Sequence, residues 1–335
     1  MIPAEIIEKK RDGIELTPGE IDWFIHNVMN ETIDDCQLSA LLMSIYFNGM
    51  TDNETTSLVD SMVKSGKRFN FNHLERYVAD KHSTGGIGDK ISFILAPLLS
   101  SFDIIVPMIA GRGLAYTGGT IDKLESINDF QTQKDFDSFS RQIDKIGCGI
   151  ISQSPEICPA DKKLYSIRDL TGTIPSLPLI CSSIMSKKIA EGLDGLAMDI
   201  KVGNGAFMKT FQQAKKLGVE LKKIGDSFDI DINITYSNMS QPLGEYAGLK
   251  CEIIEAVDCL KGTGPDDVTQ LSVDLCANIL VRSGMSTNKP EAKTLLMKNI
   301  ENGKALEKFE EMIVAQSGDL NDIYSKKNFA KNLIK

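Results

Sequence analysis

Residues Ile104-Ile105-Val106-Pro107-Met108-Ile109 form a short apolar run that leads straight into a glycine-dense stretch, residues 111–120. Such a run is the pattern of a strand buried on both faces. Ligands of α/β sheets bind in loops outside the carboxyl ends of strands like this one. Gly149-Ile150-Ile151 and residues 195–200 repeat the apolar run, while Ile230, Ile232, Ile234 and Tyr236 alternate with polar residues as a half-buried strand does. Helical stretches, such as residues 211–224, lie between them. Strands alternating with helices predict an α/β layer with mainly parallel pairing.

The first third of the chain has another pattern. Thr17-Pro18-Gly19-Glu20 is a capping box with proline at the first helical position, and Ile21, Phe24, Ile25 and Val28 follow at helical spacing. A second stripe runs through Leu38, Leu41, Leu42, Ile45 and Tyr46 to Gly49. A third helix opens at Thr51-Asp52-Asn53-Glu54 and stops near Gly66. Three helices predict an all-α unit. Ile180, Ile184 and Ile189 carry a helical pattern back into residues 162–192. The expected organisation is a helical domain from residues 1–66 and 162–192, and an α/β domain from residues 67–161 and 193–335. Residues 323–335, polar and lysine-rich, are expected to form a surface tail.

Composition narrows the function. At 335 residues, with 42% hydrophobic and 25% charged residues, the chain has the make-up of a soluble protein of two domains. No run of about 18 apolar residues predicts a membrane span, and Glu8-Lys9-Lys10-Arg11-Asp12 leaves no room for a secretory leader's apolar region. The seven cysteines lack CxxC spacing, which predicts reduced thiols in a cytoplasm and no zinc site. A net charge of −9 argues against nucleic acid as a partner, so any anion site must be made locally.

Lys81-His82-Ser83-Thr84-Gly85-Gly86-Ile87-Gly88-Asp89 has the parts of such a site. Glycines let backbone N–H groups converge on an anion, hydroxyls add donors, and Lys81 supplies a charge. A helix starting at Asp89 or Lys90 would add its partly positive terminus. The spacing is not that of a P-loop. Taken alone, the segment has the lesser alternative of a flexible glycine turn. The second glycine-dense segment, residues 111–120, gives the α/β layer a pair of such loops.

Together, residues 81–89 and 110–125 resemble the signature pair of the thymidine/pyrimidine-nucleoside phosphorylase family. Residues 159–169, 182–188, 199–209, 239–244 and 260–262 extend the likeness over nearly the whole chain. The resemblance implies a nucleoside phosphorylase/phosphoribosyltransferase-like fold, a helical and an α/β domain with a cleft between them, lacking the family's usual small C-terminal domain. It implies a pentosyltransferase of pyrimidine salvage: thymidine or deoxyuridine plus phosphate gives base and 2-deoxyribose 1-phosphate. Inorganic phosphate is then the co-substrate, with no cofactor and no metal, and a homodimer forms through the helical domain.

On this likeness Lys81, Ser83, Ser92 and Thr120 hold phosphate. His82 donates to the pyrimidine O2 as negative charge builds on the departing base. Arg168 and Lys187 offset that charge at the ring carbonyls, and Ser183 joins them in recognising the base. Lys187 lies four residues after Ser183, on the same helix face. Tyr165 and Phe207 either wall the nucleoside or belong to the core. Without the likeness, His82 reads as a loop histidine bonded to backbone, and Lys187-Lys188 as a solvated helix face.

Some residues depart from the family pattern. Ala110 stands where a phosphate-binding serine is usual, which predicts a looser phosphate site. Tyr116 stands where histidine is common. Met108 resembles thymidine phosphorylases and tilts the expectation towards 2′-deoxynucleosides. Lys90 stands where some members carry a threonine beside a monovalent cation. Its ammonium would substitute for that ion with Glu255 as partner, the alternative being a surface lysine. Two other readings compete: an anthranilate-type phosphoribosyltransferase, and a nucleoside- or phosphate-binding homologue that has lost catalysis.

Overall fold

A computed structural model describes residues 1–113 and 118–324. In chain order it has α1 (Pro3–Arg11), α2 (Pro18–Met29), α3 (Asp35–Asn48), α4 (Asp52–Lys64), β1 (Ala79–Ser83), α5 (Ile91–Ser100), β2 (Val106–Ala110), α6 (Thr120–Leu124), α7 (Phe136–Ile146) and β3 (Cys148–Ser152). Then come α8 (Pro159–Thr171), α9 (Leu177–Ala190), β4 (Gly195–Val202), α10 (Phe211–Ser227) and β5 (Asp231–Asn238). Helices α11 (Leu249–Leu260), α12 (Asp266–Arg282), α13 (Lys289–Glu301), α14 (Lys304–Ala315) and α15 (Leu320–Tyr324) follow. Met1–Phe69, Ser154–Gly192 and Lys216–Ile230 make one compact unit, and the rest of the described chain makes a second.

The strands all lie in the second unit and pair in parallel. One sheet has the order β1-β4-β5, and β2 pairs with β3. Val78 bridges Ile105, with Ala79 N–H donating to the Ile105 carbonyl at 2.8 Å and Ile105 N–H to the Tyr77 carbonyl at 2.9 Å. The strands therefore run β3-β2-β1-β4-β5, and the order reverses at β1. Doubly wound sheets bind ligands outside the carboxyl ends of the strands at such a reversal. Val106, Met108, Ile109, Ile150, Ile151, Leu196, Met198 and Ile200 are at most 3% exposed, as their apolar runs require. Helix α5, apolar all round, is buried along its whole length and enclosed by α11, α12 and α14.

Three expectations need correction. Residues 81–83 belong to a strand and not to the glycine turn, so His82 is no loop histidine. In β1 only Ala79 is apolar, and the segment becomes a strand because it fills the slot between β2 and β4. The N-terminal region has a fourth helix, α1, whose only start signal is Pro3, since Ile2 offers no side-chain cap. The expected tail begins inside α15, where Ile323 is 2% exposed and Asp322 accepts from the Asn128 N–H at 3.0 Å. Residues 325–335 lie outside the described residues.

The first unit is built from α1 to α4, α8 and α9 around Ile21, Phe24, Leu38, Leu42, Leu58, Met62, Leu164 and Leu179. The capping boxes at Thr17 and Thr51 are both closed. The second one does more than cap. Glu54 accepts from Lys10 Nζ at 2.7 and 2.8 Å, and from the backbone N–H of Leu16 and of Thr51, each at 2.8 Å. One carboxylate thus ties α1, the turn before α2 and the start of α4, with both charged side chains buried. Truncating Glu54 strands the Lys10 ammonium in the core. The expected outcome for Glu54→Ala is a loss of roughly 3–5 kcal/mol in denaturant unfolding. A loss below about 1 kcal/mol would place the pair among ordinary surface bridges.

Candidate active site

At the reversal of strand order, β1 ends in Lys81-His82-Ser83 and the chain turns towards α5. Thr84 fixes the turn from two sides. Its N–H donates to the Asp199 carbonyl at 3.1 Å, and its Oγ1 accepts from the Lys201 N–H at 2.9 Å. Gly85 N–H donates to Ser83 Oγ at 3.1 Å. Gly88 has φ +77° and lies so close to Leu243 that a Cβ would come within 2.4 Å of its carbonyl oxygen. Only glycine fits that position.

Buried charges surround this turn. Lys81 Nζ pairs with Asp89 Oδ1 at 3.3 Å. Burial lowers the Lys81 ammonium from its ordinary pKa, against the pull of Asp89 and Asp199. For Asp89, burial pushes upward, but Lys81, Lys201, a hydrogen bond from Ser83 and then Lys123 outweigh it and hold the carboxyl far below its usual range. Lys201 pairs with Asp199 at 2.6 Å, both side chains wholly buried. Burial lowers its ammonium, yet Asp89 and Asp199 bring it above its ordinary value. Lys123 reaches from α6 to the Asp89 carbonyl at 2.8 Å and to Glu252 at 2.6 Å. Burial raises the Glu252 carboxyl despite that lysine.

The expected phosphate residues are placed accordingly. Lys81 pairs with Asp89, and Ser83 ends the same strand, with half-buried His82 between them on β1. Ser92 lies in the first turn of α5, 7% exposed, and Thr120 is the first residue of α6. Helix α5 is the next element after β1 and α6 comes after β2 in the chain, and the Lys123 contact ties α6 to the start of α5. Ala110 ends β2, half-buried beside Ser152 of β3. Met108 packs in the core. Arg112 donates to Asp122 at 2.9 Å and to Glu125 at 2.7 and 2.8 Å, while Asp122 also accepts from the Gly113 N–H at 2.7 Å. Residues 114–117, Tyr116 among them, lie outside the described residues.

Lys90, at the N-cap of α5, is not a surface lysine. Its side chain is fully buried, and Nζ donates to the carbonyls of Leu243 at 2.8 Å and Tyr246 at 2.9 Å, and to the Glu255 carboxylate. Glu255 also accepts from the Glu245 N–H at 2.8 Å. One fixed cation thus gathers three acceptors from the segment after β5 and from α11.

The expected base-binding residues, Phe207 excepted, lie in the first unit. Lys187 Nζ donates to Asp161 Oδ2 at 2.6 Å, to Ser183 Oγ at 3.0 Å and to the Ser183 carbonyl. Lys188 pairs with Glu191 at 2.7 Å, deeply buried, so the solvated-face reading of the two lysines is overturned. Arg168 is 2% exposed and donates to the carbonyls of Leu179 at 3.0 Å and Ile174 at 2.8 Å, and its buried Nε has no hydrogen-bond partner among the described residues. Burial lowers its pKa, opposed by Asp161. Tyr165 lies under the guanidinium at 5.7 Å and is half-buried. Phe207 lies in the second unit, after β4, and is 47% exposed, so it is not a core aromatic.

Sequence reasoning missed Asp89, Asp199, Lys201 and Asp161 as individual residues. A signal existed for Asp199 and Lys201, since they alternate on one face inside a buried apolar strand. None existed for Asp161, whose partner Lys187 is on another helix. Among the described residues, no group of three or more His, Cys, Asp or Glu side chains is placed to hold a metal ion. No helix there is long and apolar enough to cross a membrane.

Comparison with known proteins adds three findings. Residues 75–306 match the model of the glycosyl transferase family a/b domain, and residues 4–66 match that family's helical bundle domain. The chain is 44% identical over 315 residues to a pyrimidine-nucleoside phosphorylase of Staphylococcus aureus (strain bovine RF122 / ET3-1), covering 94% of this chain and 73% of that protein. It is 45% identical over 318 residues to the enzyme of the same name from Staphylococcus haemolyticus, covering 95% and 73%. Anthranilate phosphoribosyltransferase from Thermus thermophilus shares the fold at a TM-score of 0.68 and 14% identity, over 93% of this chain and 99% of that one.

Proposed function

Because the chain belongs to the pyrimidine-nucleoside phosphorylase family, with the helical-bundle and a/b domains of the glycosyl transferases, we propose that it cleaves pyrimidine nucleosides with phosphate. The observation that carries this reading is the Lys81 ammonium, paired with a buried carboxylate where the strand order reverses, with Ser83 two residues on in the same strand. Two donors of that kind, beside two helix starts, suit an oxyanion.

In the proposed reaction, phosphate is held by Lys81, Ser83, Ser92 and Thr120. One of its oxygens bonds to the anomeric carbon as the carbon–nitrogen bond to the base breaks. The electron pair passes into the pyrimidine ring, where His82 donates to O2 and stabilises it. Lys187 and the Nε of Arg168 supply further donors to the base, with Ser183 beside them and Tyr165 and Phe207 as walls. These groups stabilise charge that is larger in the transition state than in the substrate, which is what accelerates the step. The proton that hydrogen phosphate releases on becoming an ester is taken up by the departing base, so the products are the free base and a pentose 1-phosphate, with 2′-deoxynucleosides as preferred substrates. The α/β domain, residues 67–161 and 193–335, supplies the phosphate part. The helical domain, residues 1–66 and 162–192, supplies most of the base part.

A homodimer through the helical domain belongs to the same proposal. It is supported by Met43, Tyr46 and Phe47 on α3 and Leu170 on α8, apolar side chains 37% to 82% exposed. A cytoplasmic setting is supported by seven free cysteines. The phosphoribosyltransferase alternative shares only the fold, and the relatives favour phosphorolysis.

Incubation with thymidine and phosphate is expected to change the ultraviolet absorbance as thymine is released, faster than uracil from uridine. Magnesium-dependent consumption of phosphoribosyl pyrophosphate would reverse the assignment, and binding without release would make the chain a non-catalytic homologue. Ala110→Ser is expected to lower the phosphate KM about tenfold, the value of one added hydrogen bond to an anion. An unchanged KM would remove Ala110 from the site. With the Lys90 ammonium standing in for a monovalent cation, the rate is expected to be the same in potassium and in choline salts. Activation by potassium would contradict that role.

A further inference from the structure

This inference rests on the phosphate site proposed above. Lys81, the charged one of its donors, is turned to a carboxylate. Its Nζ is 3.3 Å from Asp89 Oδ1, in a side chain 8% exposed. A phosphate dianion held by Lys81 meets a carboxylate with a prior claim on it, and like charges repel strongly where solvent is scarce. The claim is a weak one. Charge-assisted N–H···O contacts normally close to about 2.7–2.9 Å, and this one is longer.

A second cation is available to the carboxylate. Lys201 Nζ, wholly buried on the neighbouring strand, pairs with Asp199 at 2.6 Å. The other N–H groups of its ammonium have no hydrogen-bond partner among the described residues. Asp89 is the largest single attraction it feels.

We propose that Asp89 is an internal counter-ion that competes with phosphate for Lys81, and that Lys201 receives the carboxylate when phosphate displaces it. Asp89 then sets phosphate affinity without touching the sugar or the base. It is a positioning residue, acting through Lys81.

Asp89→Asn keeps the size of the side chain and the acceptor used by the Ile91 N–H at 3.3 Å, and removes only the charge. In the full-length protein, calorimetric titration with inorganic phosphate is expected to give about tenfold tighter binding for this variant, the phosphate KM following and the nucleoside KM unchanged. A structural role would weaken binding, so unchanged or weaker phosphate binding by the folded variant overturns the proposal. Should that variant fail to fold, Lys201→Met combined with Asp199→Asn removes the receiving cation as a neutral pair. About tenfold weaker phosphate binding with an unchanged nucleoside KM is then expected, and unchanged phosphate binding overturns the proposal. Wild-type protein that binds phosphate yet releases no base would refute the proposed reaction, while the titrations still decide the role of Asp89.

Discussion

Around the start of α5, Lys81, Lys123 and Lys201 bring three buried ammonium groups to bear on one carboxylate, Asp89. Removing a charge from water costs several kcal/mol, so such a cluster persists only when every member is paired. Here the pairs are Lys81 with Asp89, Lys123 with Glu252, and Lys201 with Asp199. The first two, with the Lys123 contact to the Asp89 carbonyl, fasten β1, α6 and α11 to one turn, while the third lies within β4. In a chain of net charge −9, these charges cancel within the cluster, so its lysines are held in place without adding net charge to the turn. Lys90 does the same work one residue on, gathering the segment after β5 against the glycines of the turn.

The fold places these charges where the sheet gives access. With strand order β3-β2-β1-β4-β5, the loops after β1 and β4 leave in a crevice that the topology opens. Thr84 is bonded to β4 through both its N–H and its hydroxyl, so the turn continues the strand pairing by a side chain. The donors at the end of β1 are therefore fixed by the same hydrogen bonds that hold the sheet together, and preorganised donors stabilise developing charge most effectively.

Part of this was legible in the sequence for identifiable reasons. The apolar run ending at Ile109 and the glycines after it disclose β2 and its loop, because a strand buried on both faces has to be apolar throughout. The capping boxes at Thr17 and Thr51 disclose α2 and α4, because their hydrogen bonds are local. Strand β1 is hidden, since Asp80, Lys81, His82 and Ser83 lack any apolar period and become a strand only between two neighbours. The partners of the site residues are hidden for a related reason. Lys187 meets Asp161 across 26 positions and Lys90 meets Glu255 across 165, and no spacing rule reaches that far. The family likeness supplied Lys90 with its partner, whereas Lys201 and Asp199 emerged from the packing alone.

The central claim is that this site transfers a pentose to phosphate and not to water. It is tested most directly by phosphorus nuclear magnetic resonance of a mixture of the protein, thymidine and inorganic phosphate. The account predicts that the inorganic phosphate signal falls as a sugar phosphate-ester signal rises, in step with free thymine. Thymine released with the inorganic phosphate signal unchanged would mean hydrolysis, and would contradict it.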